Sequence, residues 1–407
     1  MRAQSHARAV VPALTSAVLT GLTVFLPGVF GISPAGGATP PTPPAARLVS
    51  GVVPPSAVRL GPNSDVQTVV DAYPTGSTFL LTTGSYLGFS VVPKANDSFY
   101  AQPGVVLDGE NRLPSAFRVP SASSVNGVQI VGAGGKSPLV VQDYGTKSHS
   151  QIAAVQTSSQ GSLGPVYSSG WRLQWVQVTN NLARGITLSN EMLVIGCTVS
   201  SNGRLGIGGG GDGVTIAYDN VDDNGVSVAQ RGWEAGGIKT VADSVLIEHN
   251  TISGNGAPAI WTDVGATGIA ITDNHLSSNQ LGVQIEISRN VSITANVIMG
   301  SQRQAVLVVG SDGVAVTGNT INDNFRGIIV GGAKRVGPDA IHLNNIHVSH
   351  NAVVYSGASG LHQPVPSGTK ISFDWDHYVG SRFQWEGQRV SFAALQAMGQ
   401  ERHGTSQ

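Results

Sequence analysis

A repeat of about 22 residues constrains the fold of this 407-residue chain more than any other feature of its sequence. A small-apolar pair recurs in steps of 21, 31, 22, 23, 23 and 22 residues, and its second member falls at Ile186, Ile207, Ile238, Ile260, Val283, Val306 and Ile328. Each unit contains short runs in which apolar and polar residues alternate, as in VLIEHNTI and VSITANVI. Units this short, with Gly and Asn at their corners, predict an all-β chain folded as a parallel β-helix. An antiparallel sandwich would need hairpin turns and would give no reason for a fixed step.

A second marker keeps the same register along the repeat. Asn250, Asn274, Asn296 and Asn319 occupy one column, which Asp219 and Cys197 continue toward the N-terminus. Asn tolerates the left-handed backbone of tight corners, and stacked amides can hydrogen-bond along a solenoid axis. The column therefore predicts a structural ladder, in which Cys197 is a small buried apolar residue.

The composition excludes several other classes of protein. Only 12% of the residues are charged, 41% are hydrophobic and 53 are glycine, which does not fit a disordered chain. The net charge of -1 gives no electrostatic reason to expect nucleic acid as a partner. With a single cysteine, Cys197, the chain has no intramolecular disulfide framework.

Four segments are predicted along the chain. Residues 1–38 have the basic start, apolar run and small residues of a signal peptide, so we expect a secreted protein, with an uncleaved anchor as the alternative. No later stretch is apolar enough to span a membrane. A proline-rich linker follows over 39–58, the β-helix over 59–360 and a C-terminal cap segment over 361–407. Ser64 with Gln67 predicts a capping box for a short N-terminal helix, and Ser391 begins a second helix near the C-terminus.

Three stretches resemble a known group of proteins. They are DVQTVVDAYPTGSTFLLTTGSYLGFSVVPK, the series GWEAGGIKT, PAIWTD and GVQIEIS, and FQWEGQRVSFAALQAMGQERHG. With the repeats between them, they resemble the right-handed parallel β-helix proteins of the pectate lyase-like superfamily, particularly secreted bacterial ones. The resemblance implies the fold. It does not choose among the superfamily's lyases, glycoside hydrolases, epimerases, esterases and non-catalytic surface proteins.

Candidate site residues come from the outward-facing side chains. If the small-apolar column points inward, alternation along each strand predicts two outward columns. The first contains Lys239, Trp261 and Gln284, and the second contains Asp263 and Glu286. Neighbouring coils lie about 4.8 Å apart, so Asp263 and Glu286 are expected side by side, with Lys239 close enough to offset their repulsion.

Aromatic and loop residues extend this predicted site. Trp261 is interpreted as a flat surface for a sugar ring. The long step from Ile207 to Ile238 indicates an inserted loop that brings Arg231, Trp233 and Glu234 to the same face.

These residues fit more than one reaction on a polysaccharide. In glycoside hydrolysis, Asp263 and Glu286 would form the carboxyl pair. In calcium-assisted elimination, Lys239 would be the base, and Glu234, Asp263 and Glu286 would be oxygen ligands of the cation. The spacing of Glu234 and Lys239 resembles that in calcium-assisted β-helix lyases, although those enzymes have an arginine where this chain has Trp261. Epimerases rank last, because their Asp-Pro-His-Glu signature is absent.

The alternative to an enzyme is a non-catalytic module that binds glycan on the cell envelope. In either case the expected partner is a polysaccharide, and the chain is expected to be a monomer or a trimer. No cofactor other than calcium is indicated.

Overall fold

Three long parallel sheets surround a continuous apolar core. The structure, a computed structural model, describes residues 51–146, 151–226, 232, 234–331 and 342–407. The first coils add strands to sheets 1 and 2, and from residue 129 to residue 385 each circuit adds one strand to sheet 1, then one to sheet 2 and then one to sheet 3. This is a right-handed parallel β-helix, as predicted.

The bounds of the strands follow the repeat. Sheet 1 consists of Val58–Leu60 (β1), Thr78–Leu81 (β2), Ser98–Ala101 (β4), Gln129–Val131 (β6), Arg172–Gln174 (β11), Leu193–Ile195 (β14), Thr215–Ala217 (β17), Leu246–Glu248 (β20), Thr267–Thr272 (β23), Arg289–Thr294 (β26), Asp312–Thr317 (β29), Asn344–Ser349 (β32) and Ile371–Asp374 (β35). Sheet 2 consists of Gly84–Leu87 (β3), Val105–Asp108 (β5), Leu139–Gln142 (β7), Val176–Thr179 (β12), Thr198–Ser200 (β15), Asn220–Asp222 (β18), Thr251–Ser253 (β21), His275–Ser277 (β24), Val297–Met299 (β27), Thr320–Asn322 (β30), Ala352–Val354 (β33), His377–Val379 (β36) and Thr405–Ser406 (β39).

Sheet 3 carries the candidate site. It consists of Ala153–Val155 (β8), Arg184–Thr187 (β13), Leu205–Gly209 (β16), Gly236–Thr240 (β19), Pro258–Thr262 (β22), Leu281–Glu286 (β25), Gln304–Val309 (β28), Arg326–Gly331 (β31), Ala358–Leu361 (β34), Arg382–Trp385 (β37) and Gln388–Val390 (β38). Its last strand, β38, is antiparallel to β37. A separate antiparallel hairpin is formed by Ser158–Gly161 (β9) and Gly164–Tyr167 (β10).

The predicted register of sheet 3 is confirmed strand by strand. Ile186 pairs with Ile207, and the same column continues through Ile238, Ile260, Val283, Val306 and Ile328. All seven side chains are buried in the core. The next residue of each strand forms the first outward column, in which Lys239 pairs with Trp261 and Trp261 with Gln284.

The Asn column is a hydrogen-bonded ladder, as predicted. The side-chain oxygen of each member accepts the backbone N–H, and where possible the amide N–H, of the member one coil before it. Asn351 and Asp376 extend the ladder toward the C-terminus, and Cys197 is buried at its other end. The left-handed corner position is the residue before each member, such as His249 with φ 55°, and not the ladder Asn itself.

A second ladder lies at the corner between sheets 2 and 3, and the sequence analysis missed it. Its amides connect Asn181, Asn202, Asn224, Asn255 and Asn279 in the same way. The signal was present in the sequence, because each of these residues closes a unit such as TISGN or HLSSN.

Replacing Asn296 with alanine is expected to lower the free energy of unfolding by about 2–5 kcal/mol, since it leaves several buried partners without a hydrogen bond. Asn296 accepts from the backbone and amide N–H groups of Asn274 and donates to the carbonyl oxygens of Ile271 and Thr294. Urea denaturation would measure the change. The matched control is Asn220→Ala, because Asn220 is exposed; a loss as large in the control would contradict a specific role for the ladder.

Short helices lie near both ends of the solenoid. Val66–Ala72 (α1) is capped by Asp65, whose side chain accepts from the Thr68 N–H at 3.1 Å. The predicted capping box of Ser64 and Gln67 is therefore wrong. The side-chain oxygen Oε1 of Gln67 accepts from the Val92 N–H instead.

At the other end, Phe392–Ala397 (α2) begins after Ser391, as predicted. The ring of Phe392 packs against those of Tyr378 and Phe383 in the last coil. Parallel pairing in sheets 1 and 2 continues beyond residue 360, through β35 and β36.

Candidate functional site

A groove of about 670 Å³ lies on the outer face of sheet 3. Its floor is formed by the strands β13, β16 and β19 and by the residues that follow β22, and the β9–β10 hairpin contributes one wall. We call it the sheet 3 groove. Its polar and charged lining includes Arg118, Gln156, Gln160, Tyr167, Arg184, Glu234, Lys239 and Asp263.

Lys239 and Asp263 form a buried ion pair in this groove. The distance from Lys239 Nζ to Asp263 Oδ2 is 2.9 Å, and the residues are 6% and 4% exposed. Asp263 Oδ1 also accepts from the Val264 N–H. Breaking such a buried pair by removing one partner costs about 3–5 kcal/mol, because the other charge remains without compensation. The predicted proximity of Lys239 to Asp263 is confirmed.

The ring of Trp261 packs against the Lys239 ammonium. The ammonium Nζ lies 3.5 Å from the centroid of the indole ring, which is the geometry of a cation–π contact. Trp261 is only 9% exposed and is not among the residues that line the groove. The interpretation of Trp261 as an exposed sugar platform is therefore wrong, because the lysine covers the ring face that a sugar would need.

Glu234 is held by two arginines. Its Oε1 lies 3.2 Å from Arg184 Nη2, and its Oε2 lies 3.6 Å from Arg204 Nη1. Arg184 also donates to the carbonyl oxygen of Gly208. The cluster fixes Arg184 at the groove. Burial removes water from the Arg184 guanidinium, which disfavours its charged form and lowers the pKa of Arg184.

The hairpin wall brings Tyr167 to the groove. Tyr167 is half-buried, and burial raises the pKa of its phenol while the nearby Arg184 opposes that shift. Its hydroxyl occupies the space beside Gly210, where any side chain would overlap it. Tyr167 and Arg118 were both missed by sequence reasoning, since they lie outside the repeat. The Gly-Ser-Leu-Gly turn between alternating runs was the available signal for the hairpin.

Glu286 and Gln284 form a separate pair. Gln284 Nε2 donates to Glu286 Oε2 at 2.9 Å, and neither residue lines the sheet 3 groove. The predicted pair of adjacent carboxylates, Asp263 and Glu286, is thus divided between two sets of partners. Arg231 and Trp233, predicted to line the substrate site, lie outside the residues that the structure describes.

The predicted calcium ligands do not converge. Both oxygens of Glu234 face arginines, and Asp263 is paired with Lys239. Within the described ranges, no group of three or more His, Cys, Asp or Glu side chains could hold a metal ion. A hard cation needs several oxygen ligands around one point. The residues present therefore do not fit calcium, and the prediction of Glu234, Asp263 and Glu286 as its ligands is wrong.

Comparisons with known proteins agree on the fold. The family model described as "Right handed beta helix region" matches residues 166–321. Comparison with curated protein sequences gave no match. The A-module of the mannuronan C-5 epimerase AlgE6 of Azotobacter vinelandii is similar in structure, with a TM-score of 0.58 at 15% identity over 84% of this chain and 94% of that one.

Two further solved structures show the same likeness. The A-module of AlgE4 from the same organism has a TM-score of 0.56 at 12% identity, again over 84% of this chain and 94% of that one. XylC in complex with xylose has a TM-score of 0.50 at 13% identity over 66% of this chain. The match covers 52% of XylC, so this chain spans about half of that protein. The protein is a right-handed parallel β-helix protein.

The membrane prediction concerns only part of the chain. Among the residues described, no helix is both long and apolar enough to cross a bilayer. The predicted signal peptide over 1–38 lies outside the described residues.

Proposed function

We propose that the protein is an exported enzyme that binds an acidic polysaccharide in the sheet 3 groove and cleaves it by elimination. The observation that carries this proposal is the buried Lys239–Asp263 pair at the floor of a groove with surplus positive charge. Groove-shaped sites with a few convergent polar groups are the usual form of a ligand site. Similar structures whose names include mannuronan C-5 epimerase and a complex with xylose support a glycan as the ligand.

The charge balance favours an acidic substrate. The charged residues in the described groove lining are Arg118, Arg184 and Lys239 on one side and Glu234 and Asp263 on the other. Both carboxylates already have cationic partners within 3.6 Å. Arg118 is exposed at the groove, where a guanidinium can bind a sugar carboxylate through two parallel hydrogen bonds.

Elimination uses these residues without a metal ion. Lys239 acts as the base in its neutral form, after its ammonium proton has passed to solvent, and removes the proton on the carbon next to the substrate carboxylate, while Asp263, 2.9 Å from Nζ, holds the amine in place. A carbon–carbon double bond forms as the adjacent carbon–oxygen glycosidic bond breaks, and the lysine ammonium protonates the departing oxygen. Arg118 and Arg184 neutralise the negative charge that develops on the carboxylate during proton removal. No water is consumed, and the products are an unsaturated uronate and a new chain end.

Hydrolysis by Asp263 and Glu286 is the competing reaction. It needs two carboxyl groups on opposite sides of one glycosidic bond. Asp263 lines the groove, whereas Glu286 is paired with Gln284 outside its lining. This arrangement supports elimination over hydrolysis.

A substrate panel tests the proposal. Mature protein is incubated with alginate, polygalacturonate, chondroitin sulfate, xylan and dextran, with and without calcium. Reducing ends and ultraviolet absorbance of unsaturated uronates are read together. We expect both signals to rise on an acidic polymer in the presence of a chelator. Reducing ends without absorbance would establish hydrolysis instead, and binding without either signal would establish a non-catalytic glycan-binding module.

Replacing Gly210 with alanine is expected to lower kcat/KM on the acidic polymer by about tenfold, because the new methyl group displaces the Tyr167 hydroxyl from the groove. The control is Gly135→Ala, since a side chain at Gly135 meets no atom within 4 Å. The double variant Gly210→Ala/Tyr167→Ala should be no slower than Tyr167→Ala alone, because the ring atoms that the new methyl group would meet are then absent. A further loss in the double variant would show that Gly210 acts through something other than Tyr167.

A further inference from the structure

A second cavity of about 420 Å³ lies on the corner between sheets 2 and 3, near the C-terminal end of the solenoid. Three successive coils contribute to it, through the residues at the start of β31, β34 and β37. We call it the corner site. Its residues are Asn324, Phe325, Arg326, Tyr355, Ser356, Gly357, Ala358, Gly380, Arg382 and Gln384.

Two aromatic rings are exposed at the corner site. Phe325 and Tyr355 are each 68% exposed, whereas the rings of Tyr378 and Phe383 in the following coil are buried. Gly380 has φ 59°, and a side chain there would meet the Tyr355 ring at 2.8 Å. The absence of a side chain at Gly380 therefore lets the Tyr355 ring lie along the next coil. A ring that is held in place and still open to solvent suits stacking on the C–H face of a sugar.

The charged side chains that line the corner site, among the described residues, are all positive. They are Arg326 and Arg382. The Arg326 guanidinium lies 5.9 Å from the centroid of the Phe325 ring, and Arg382 is exposed. Two guanidinium groups beside two rings complement a ligand with both carboxylates and apolar ring faces, which describes an acidic sugar chain.

The corner site and the sheet 3 groove share one sheet. Four coil steps separate β19, which carries Lys239, from β31, which carries Arg326, and this corresponds to about 19 Å along the axis. A chain laid along sheet 3 could therefore contact both. From the rings, the arginines and this alignment, we propose that the corner site is a second binding site for an acidic polysaccharide, separate from the groove.

Affinity electrophoresis through gels that contain alginate or polygalacturonate tests the proposal, with dextran as the neutral polymer. The variant Tyr355→Ala/Arg382→Gln should weaken binding to an acidic polymer by about tenfold, equivalent to about 1.4 kcal/mol. The matched control is Tyr218→Ala/Arg289→Gln, which changes an exposed tyrosine and an exposed arginine on other coils. Unfolding temperatures of both variants show whether the fold is retained. If Tyr355→Ala/Arg382→Gln fails to fold, Arg382→Gln alone is used, with an expected loss of about threefold.

This inference rests in part on the proposed function, and the two can fail separately. Lys239→Met/Asp263→Asn removes both charges of the groove pair, and it should still bind the polymer through the corner site. Loss of all binding in that variant, together with unchanged binding in Tyr355→Ala/Arg382→Gln, would overturn the corner site and leave the groove. If the protein shows no turnover but its polymer binding depends on Arg382, the proposed enzymatic function is refuted and the proposed corner site is retained. Analytical ultracentrifugation tests whether a second copy of the protein occupies the corner site instead. If the protein is a dimer that Tyr355→Ala dissociates while polymer binding is unchanged, the corner site is a contact between two copies.

Discussion

Replacing Lys239 with methionine is expected to lower turnover of an acidic polysaccharide by about 10²–10⁴-fold, the range that a general acid or base usually contributes. The side chain keeps its length and apolar stem but loses the amine that would remove the substrate proton. Initial rates of absorbance increase would measure the loss, and Lys136→Met, which changes an exposed lysine outside the groove, is the matched control.

Stability must be separated from chemistry in this experiment. Lys239→Met leaves the Asp263 carboxylate buried beside an apolar side chain, so the single variant is expected to lose about 3–5 kcal/mol of stability. Lys239→Met/Asp263→Asn should recover most of that stability and remain inactive. Full activity in the folded double variant would refute the proposed roles of both residues.

Replacing Asp376 with asparagine is expected to stabilise the protein at pH 8 by about 1–3 kcal/mol, the usual cost of a buried polar group without a partner. Burial first, and then the neighbouring Glu401 carboxylate, raise the pKa of Asp376 to about 9. Asp376 Oδ2 is buried and has no hydrogen-bond partner in the structure. Asparagine would match the ladder members that precede it, such as Asn351, whose amides donate to backbone carbonyl oxygens.

The pH dependence follows from the direction of this shift. The folded protein retains the Asp376 proton up to about pH 9, while the unfolded chain loses it above its ordinary value of 3.8. Folding therefore takes up a proton in this window, and the contribution of Asp376 to stability decreases as the pH rises from about 4 to 9. Melting temperatures across that range should show a smaller slope for Asp376→Asn than for the parent protein. Equal slopes would contradict the assignment of a protonated carboxyl to Asp376.

The fold could be predicted from the sequence because the spacing of the sequence repeat also fixes the register in which the strands pair. In a solenoid, each coil pairs with the next in register, so the spacing of Ile238, Ile260 and Val283 directly predicts which strands pair. The Asn ladder followed from the same step. The hairpin β9–β10 could not be found in this way, because it interrupts the repeat instead of continuing it.

The partners within the site were harder to predict. Alternation along a strand assigns a side chain to a face, but it does not say which neighbour a long side chain reaches. The Lys239 ammonium pairs with Asp263 on the following coil and lies over the ring of Trp261. The indole is therefore covered and has no exposed face for a sugar ring. Arg184 similarly reaches the groove because Glu234 and the Gly208 carbonyl hold it there.

The coil-by-coil pairing of sheet 3 also makes the protein a molecular ruler. Each coil pairs only with its two neighbours, so duplicating the coil that contains β25 and β27, residues 281–303, should leave the groove before it and the corner site after it unchanged. Their separation would grow by one strand spacing, about 4.8 Å. A set of such duplications would thus present the same two surfaces at stepwise distances, and the length of the shortest sugar chain that contacts both should increase in the same steps.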